Sequence, residues 1–439
     1  MTPTPVDLLI EARWIIPVEP FDTTLEHHAI AVQDGYIKAI LPIMTAREHY
    51  TARETVSLPD HILLPGLVNL HCHAAMTLMR GLADDLPLMR WLQEAIWPAE
   101  SQHASHAFVR DGSLLAAAEM LRSGITTCND MYFFPGATAE AFDRLGLRAV
   151  LGMIVIDFPS QYASDADDYL RKGLAIRDTW RDHPRIGFAL APHAPYTVSN
   201  RSFERIGALA EELELPVHVH IHETLTEITD SLRDHGLRPI ARLDELGLLG
   251  PHLIGVHGVH LTPDDTHRLA RNNCSIAHCP TSNLKLASGA AAIPLLHEQQ
   301  ITVGLGTDGA ASNNRLDLLR EMHQASLLAK LTSGDASALP AHRALRMATL
   351  DGAQALGMES RIGSLRPGKL ADMTAIRVDN PDDLPCFDPA SHLVFVLGRH
   401  AVSATWVAGE LRMKDGKLLQ ISNTELLAIG RLWQNKLRQ

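Results

Sequence analysis

Four groups of side chains able to bind a metal or move protons lie between residues 71 and 309: His71-Cys72-His73, His218-Val219-His220-Ile221-His222-Glu223, His257, and Thr307-Asp308-Gly309. Each closes a short apolar run, which is where a parallel barrel gathers catalytic side chains from several strands. Side chains on a strand repeat every two residues, so His71 and His73 are expected on one face, able to grip one metal. His218, His220 and His222 alternate along a β-branched run, and Glu223 follows at once, setting an acid beside imidazole. Asp308 sits among Gly304, Gly306 and Gly309, whose missing side chains let a ligand approach the backbone. Three imidazoles and one carboxylate form the borderline donor set that suits zinc with a position left for water. A cation there lowers the pKa of bound water to roughly 7, which supplies a nucleophile at neutral pH.

Each group also has an ordinary structural reading. The chain carries 24 histidines, enough for on the order of one H-x-H pair by chance. The triple alternation is compatible with a hydrogen-bonded core ladder, His257 with a satisfied half-buried histidine, and Asp308 with a turn or capping aspartate.

The elements that must position these residues can be traced along the chain. Short β-branched runs followed by helical stretches fill residues 65–363, the pattern of βα units on a parallel sheet. Eight candidate strands fall at 68–71, 126–129, 149–155, 188–191, 216–220, 253–256, 275–277 and 302–305, the number a closed TIM barrel needs. Between them Thr262 can cap a helix with Pro263 at its first position, and apolar residues recur at helical spacing after Ser199. Residues 1–64 and 364–439 read instead as short strands with turns at Asp34-Gly35 and Asp415-Gly416. The expected architecture is α/β: a TIM (β/α)8 barrel with a small composite β-sandwich domain built from both chain ends.

At 439 residues the chain is long enough for such a barrel and its companion. A net charge of −12 with no basic block excludes a nucleic-acid partner. Five scattered cysteines without a C-x-x-C pair read as reduced thiols. No leader-like start and no apolar stretch of spanning length is present, so the expectation is a cytoplasmic protein with no membrane partner. A small molecule is the expected partner, with a homo-oligomer an ordinary assembly for a chain of this size.

Longer motif text then points to a family. Pro65-Gly66-Leu67-Val68-Asn69-Leu70-His71-Cys72-His73, Ala191-Pro192-His193-Ala194-Pro195-Tyr196, His218 to Thr224, His278-Cys279-Pro280-Thr281-Ser282-Asn283, Gly306-Thr307-Asp308-Gly309 and Gly363 to Asp372 run nearly end to end. In these the chain resembles the amidohydrolase superfamily, and within it the 5-methylthioadenosine/S-adenosylhomocysteine deaminases. The resemblance implies one zinc ion per subunit held by His71, His73, His220 and Asp308, with His257 beside the attacking water. It implies that Asp308 takes a proton from that water and that Glu223 delivers one to N1 of the purine. It also implies that Glu100 meets the ribose hydroxyls and that His193 contacts the adenine nucleoside. Met76 to Met79 and residues 86–97, rich in Met and Trp, read either as a lid over an apolar 5′-substituent or as plain helix packing.

One departure bears on the substrate. Relatives that accept S-adenosylhomocysteine carry arginines shortly after the Gly-Leu-Arg-Ala strand start, suited to a bidentate grip on a carboxylate. Here no arginine follows Arg148 until Arg171, while Met153 and Phe158 suit a methylthio group. The expected reaction is deamination of 5′-methylthioadenosine to 5′-methylthioinosine and ammonia, with adenosine slower. Alternatives are S-adenosylhomocysteine deamination, guanine deamination or triazine hydrolysis on the same barrel, and a non-enzymatic metal-binding scaffold. The cytidine-deaminase pattern is excluded, because Pro385-Cys386 lacks the second cysteine of P-C-x-x-C.

Overall fold

The computed structural model describes residues 3–438. Eight parallel strands form the central sheet: β5 (Leu67–Cys72), β6 (Ile125–Tyr132), β7 (Arg148–Val155), β8 (Ile186–Pro192), β9 (Val217–Ile221), β10 (Leu253–His257), β11 (Ser275–His278) and β12 (Thr302–Leu305). Each pairs with its neighbour in chain order, and the interior is filled by side chains such as Val68, Leu70, Ile254, Val256 and Ala277. These are the eight runs expected from the sequence, and the fold is a TIM barrel.

The seam between β12 and β5 explains the glycines before Asp308. A Cβ on Gly304 would lie 2.6 Å from Leu70 Cδ2, and one on Gly306 would lie 2.9 Å from His71 Cβ. Those glycines let the last strand lie against the first, rather than admitting a ligand. Backbone N–H of Asp308 then donates to the His71 carbonyl at 3.0 Å, placing the two residues side by side at the mouth.

The chain ends build a second eight-stranded sheet from β1 (Thr4–Ile15), β2 (Leu25–Gln33), β3 (Tyr36–Pro42), β4 (Tyr50–Pro65), β13 (Met373–Arg377), β14 (Val402–Val407), β15 (Glu410–Lys414) and β16 (Lys417–Leu418). Its order is β16-β15-β14-β13-β4-β1-β2-β3, with β1 and β4 parallel and the other pairs antiparallel. Asp34 and Gly35 both have positive φ, the geometry of a tight hairpin between β2 and β3. The sheet curls so that this turn meets Ala408, and Ile10, Ile30, Met373 and Trp406 share one core. The strand-like reading of the C-terminal end missed the helix Asn423–Lys436, which docks on the barrel helix His106–Arg122 through Trp433 Nε1 donating to Asp111 at 2.9 Å.

Barrel and sheet are tied by a buried ion pair. Arg148, first residue of β7, donates from Nε and Nη2 to Asp372 at 2.9 and 3.2 Å, and both side chains are almost fully buried. Asp372 also accepts from Ala408 N at 2.7 Å, while its own carbonyl accepts from Gly66 N, just before β5. Truncating one partner strands a charge in the interior. Arg148→Met is expected to cost about 3–5 kcal/mol, read as a lowered midpoint in denaturant unfolding; an unchanged midpoint contradicts this role.

Candidate active site

The C-terminal ends of the barrel strands bring His71, His73, His220, His257, Glu223 and Asp308 to one cavity of about 440 Å³, except that His71 stands just behind its wall. His71 Nε2 lies 3.3 Å and His73 Nε2 3.4 Å from Asp308 Oδ1. His220 Nε2 lies 3.3 Å from His73 Nε2.

The tautomers decide what this cluster means. His73 Nδ1 lies 2.6 Å from the Met131 carbonyl, and His220 Nδ1 lies 2.6 Å from the His193 carbonyl. A carbonyl only accepts, so both Nδ1 atoms carry hydrogen and a neutral ring presents its Nε2 lone pair to the centre. Two lone pairs thus face each other beside a carboxylate oxygen. His71 Nε2 is buried without any hydrogen-bond partner, and its Nδ1 is 2.9 Å from His218 Nε2. Burial pushes His71 down to about 4 and His220 well below the usual range, so neither is protonated near neutral pH. Burial alone raises the Asp308 carboxyl, but the close approach of His71 and the neighbouring His73 and His257 imidazoles hold it well below its ordinary value. Imidazole and carboxylate donors converging on one point fit a divalent cation.

Asp308 is oriented from behind. Ser282 and Ser312 Oγ donate to Oδ2 at 2.6 and 2.9 Å, and Gly309 N donates to Oδ1 at 2.6 Å. His257 donates from Nδ1 to Asn283 Oδ1 at 2.8 Å, leaving Nε2 3.6 Å from Glu223 Oε2. Burial raises the Glu223 pKa, which suits a group that must give and take a proton. Ser288 donates to Glu223 Oε1 at 3.2 Å. Glu227 clamps the backbone beneath, accepting from His222 N and Glu223 N, both at 2.8 Å.

Three strand-end residues, His222, His257 and Asp308, hold left-handed backbone, with φ of 55°, 74° and 60°. For non-glycine residues each costs about 1–3 kcal/mol, strain of the kind found at functional sites. For His222 it overturns the expected shared face. β9 ends at Ile221, and the His222 ring turns away to the His260 carbonyl and Ile240 N. His218 stays below, against His71.

The rest of the cavity is mostly apolar, although Ser101, Ser160 and Gln161 also line it. Met76, Leu88, Trp91, Leu92, Ile96 and Trp97 come from the 74–103 segment, facing Ile154, Ile156 and Phe158. The segment read as lid or packing lines the cavity and rests on the barrel core. Met153 does not reach the cavity. It packs beneath Gly173, because strand alternation turns Ile154 inward and Met153 outward. Glu100 lines the cavity with its Oε1 accepting from Tyr132 Oη at 2.7 Å, and burial pushes its pKa up to about 7. His193 is held at Nδ1 by Thr197 Oγ1 at 3.0 Å, and burial lowers it to about 3. Tyr132, Thr197, Ser288 and Glu227 escaped the sequence reading. Tyr132 closes the observed β6, three residues beyond the strand expected at 126–129, so it too carried no signal in the sequence.

Comparison with known proteins fits this geometry. The model of the amidohydrolase family matches residues 62–412. The chain belongs to the amidohydrolase family. Among curated relatives of this amidohydrolase, a 5-methylthioadenosine/S-adenosylhomocysteine deaminase of Teredinibacter turnerae is 46% identical over 434 residues, covering 99% of this chain and 98% of the relative. One of the same name from Saccharophagus degradans is 44% identical over 435 residues, covering 99% and 98%. A solved adenosine deaminase of Xanthomonas campestris with bound zinc superposes with a TM-score of 0.98 at 46% identity, covering 99% of each chain. An atrazine chlorohydrolase of Arthrobacter aurescens shares the fold at 24% identity, with a TM-score of 0.90 over 97% of this chain and 99% of its own.

His220→Ala removes one of the converging lone pairs. It is expected to lose at least about tenfold in affinity for the bound divalent metal, measured by metal analysis after dialysis against a graded chelator. Retention equal to the parent protein contradicts the donor set.

Proposed function

We propose that the chain hydrolyses the adenine amine of 5′-methylthioadenosine, giving 5′-methylthioinosine and ammonia, with adenosine as a slower substrate. The family and its deaminase-named relatives make it a metal-dependent hydrolytic deaminase of adenine nucleosides. Zinc is the cofactor by the same likeness, and His71, His73, His220 and Asp308 would hold it. When bound, zinc supplies Lewis acidity that brings the ionisation of water near neutral pH.

The side chains divide the remaining work. Asp308 takes the first proton of the attacking water, and the free Nε2 of His257 accepts from the same oxygen. Glu223 gives a proton to N1, so negative charge does not accumulate on the ring as the C6–O bond forms. Proton return to the exocyclic nitrogen breaks the C6–N bond and releases ammonia. His193 contacts the purine, and Glu100 receives the ribose hydroxyls.

One observation carries the preference for a methylthio substituent: no lysine or arginine is among the described residues lining the cavity, which already holds Glu100, Glu223 and Asp308. A homocysteine carboxylate placed there would be buried without a partner. Arg242, in the neighbouring cleft beyond Trp97, Phe158 and Tyr196, is already committed to Asn200 Oδ1 and to the Pro195 and Val198 carbonyls. The five cysteines are unpaired, in keeping with the proposed cytoplasmic location.

A panel of adenine nucleosides, followed by the ultraviolet change as adenine becomes hypoxanthine, tests the reading. The expected kcat/KM for methylthioadenosine exceeds that for S-adenosylhomocysteine by at least about a hundredfold, the worth of roughly 3 kcal/mol. Equal or reversed values contradict the preference. Acid pH gives a second check. Glu100 is ionised only above about pH 7, so KM for the ribonucleoside is expected to rise as pH falls through 7 and to level off above it. In Glu100→Gln that dependence is expected to vanish; a KM limb that persists there assigns it to another group.

A further inference from the structure

Three successive residues at the end of β6 each hold a different part of the site. The Asp130 carboxylate accepts from Ala74 N at 2.6 Å, fixing the segment that leaves His73. The Met131 carbonyl sets the His73 tautomer at 2.6 Å. Tyr132 donates to Glu100 Oε1 at 2.7 Å. Tyr132 is itself 3% exposed, lines the cavity, and lies with its ring 6.5 Å from that of His73 and 5.2 Å from that of Phe133. One strand end thus links the metal-binding half of the cavity to Glu100.

Glu100 sits on the helix Trp97–His103, directly after a π-helical turn at Leu92–Ile96. Such turns mark functional positions in helices. Ser101, Ser160 and Gln161 also line the cavity, but among the described residues Tyr132 is the one side chain that hydrogen-bonds to Glu100. A carboxylate without such a partner can swing about its own χ angles. One oxygen anchored by a phenol leaves the other oxygen, and the remaining lone pair of the first, aimed in a fixed direction.

We propose that Tyr132 determines sugar specificity: by anchoring Glu100 Oε1 it holds the carboxylate in the orientation that accepts both hydroxyls of a ribose, and so selects ribonucleosides over 2′-deoxyribonucleosides. This rests on the reading of Glu100 given above. Tyr132 is a positioning residue that acts through Glu100 and takes no part in proton transfer.

The test uses the zinc-loaded full chain with adenosine and 2′-deoxyadenosine as paired probes. In the parent enzyme adenosine is expected to have the higher kcat/KM. Tyr132→Phe keeps the ring packing and removes only the hydroxyl. It is expected to raise KM for adenosine about tenfold, the effect of losing one hydrogen bond to a charged group. Meanwhile kcat stays within about threefold, KM for 2′-deoxyadenosine moves little, and the selectivity ratio collapses. A double-mutant cycle with Glu100→Gln separates anchoring from general damage. If Tyr132 acts through Glu100, adding Tyr132→Phe to Glu100→Gln changes KM by less than about twofold. An unchanged ribose selectivity in Tyr132→Phe overturns the inference, as does an equal KM rise for both probes or full additivity in the cycle. Deamination of neither nucleoside, nor of methylthioadenosine, by the parent enzyme overturns the proposed function itself, and deamination of both probes without preference overturns the role of Glu100.

Discussion

The active site is organised by an electrostatic conflict that only a cation resolves. His73 and His220 have each committed Nδ1–H to a backbone carbonyl, so their Nε2 lone pairs meet 3.3 Å apart. Asp308 brings an anionic oxygen to the same point, and His71 contributes a buried nitrogen with no partner. Burial opposes protonation of His71, held near 4, and of His220, held well below its usual range. A divalent ion would satisfy all four donors at once, and the surrounding hydrogen bonds keep those donors aimed at one point.

That requirement explains otherwise costly features of the fold. Left-handed backbone at His257 and Asp308 turns strand-end side chains into the mouth, and Glu227 fastens the left-handed His222 so that Glu223 emerges at a fixed height. Gly304 and Gly306 let β12 press on β5, which sets Asp308 beside His71. Site geometry and barrel closure are therefore one constraint. The second sheet acts from the opposite end of the barrel, where Arg148 and Asp372 anchor the starts of β7 and β5.

The barrel was legible because its signal is redundant: eight β-branched runs alternate with capped helices, and each strand end announces a polar residue. The six residues that the structure gathers at the mouth were visible for the same reason, as histidines and acids that close apolar runs. What the sequence hid depends on three-dimensional placement. Alternation places His222 with His220 only while the strand continues, and β9 stops at Ile221. Met153 and Ile154 are equally apolar, so which one faces the cavity follows from register alone. Ser288, Glu227 and Tyr132 have no motif of their own, since a hydroxyl or acid that orients another side chain looks in sequence like any surface residue. The glycines near Asp308 were visible, but their purpose was not: strand contact and ligand approach need the same missing Cβ.

The proposed preference for one kind of nucleoside rests on the cavity's large apolar side chains and on the absence of lysine and arginine among its described lining residues, yet all of the proposed chemistry presupposes the ion. The most direct measurement is therefore diffraction from crystals of the enzyme as purified, with data collected on both sides of the zinc absorption edge. The expected result is one anomalous peak about 2.0–2.2 Å from the Nε2 atoms of His71, His73 and His220 and from an oxygen of Asp308. Full-occupancy protein with no peak at that point, and the four donors hydrogen-bonded to one another instead, contradicts the account.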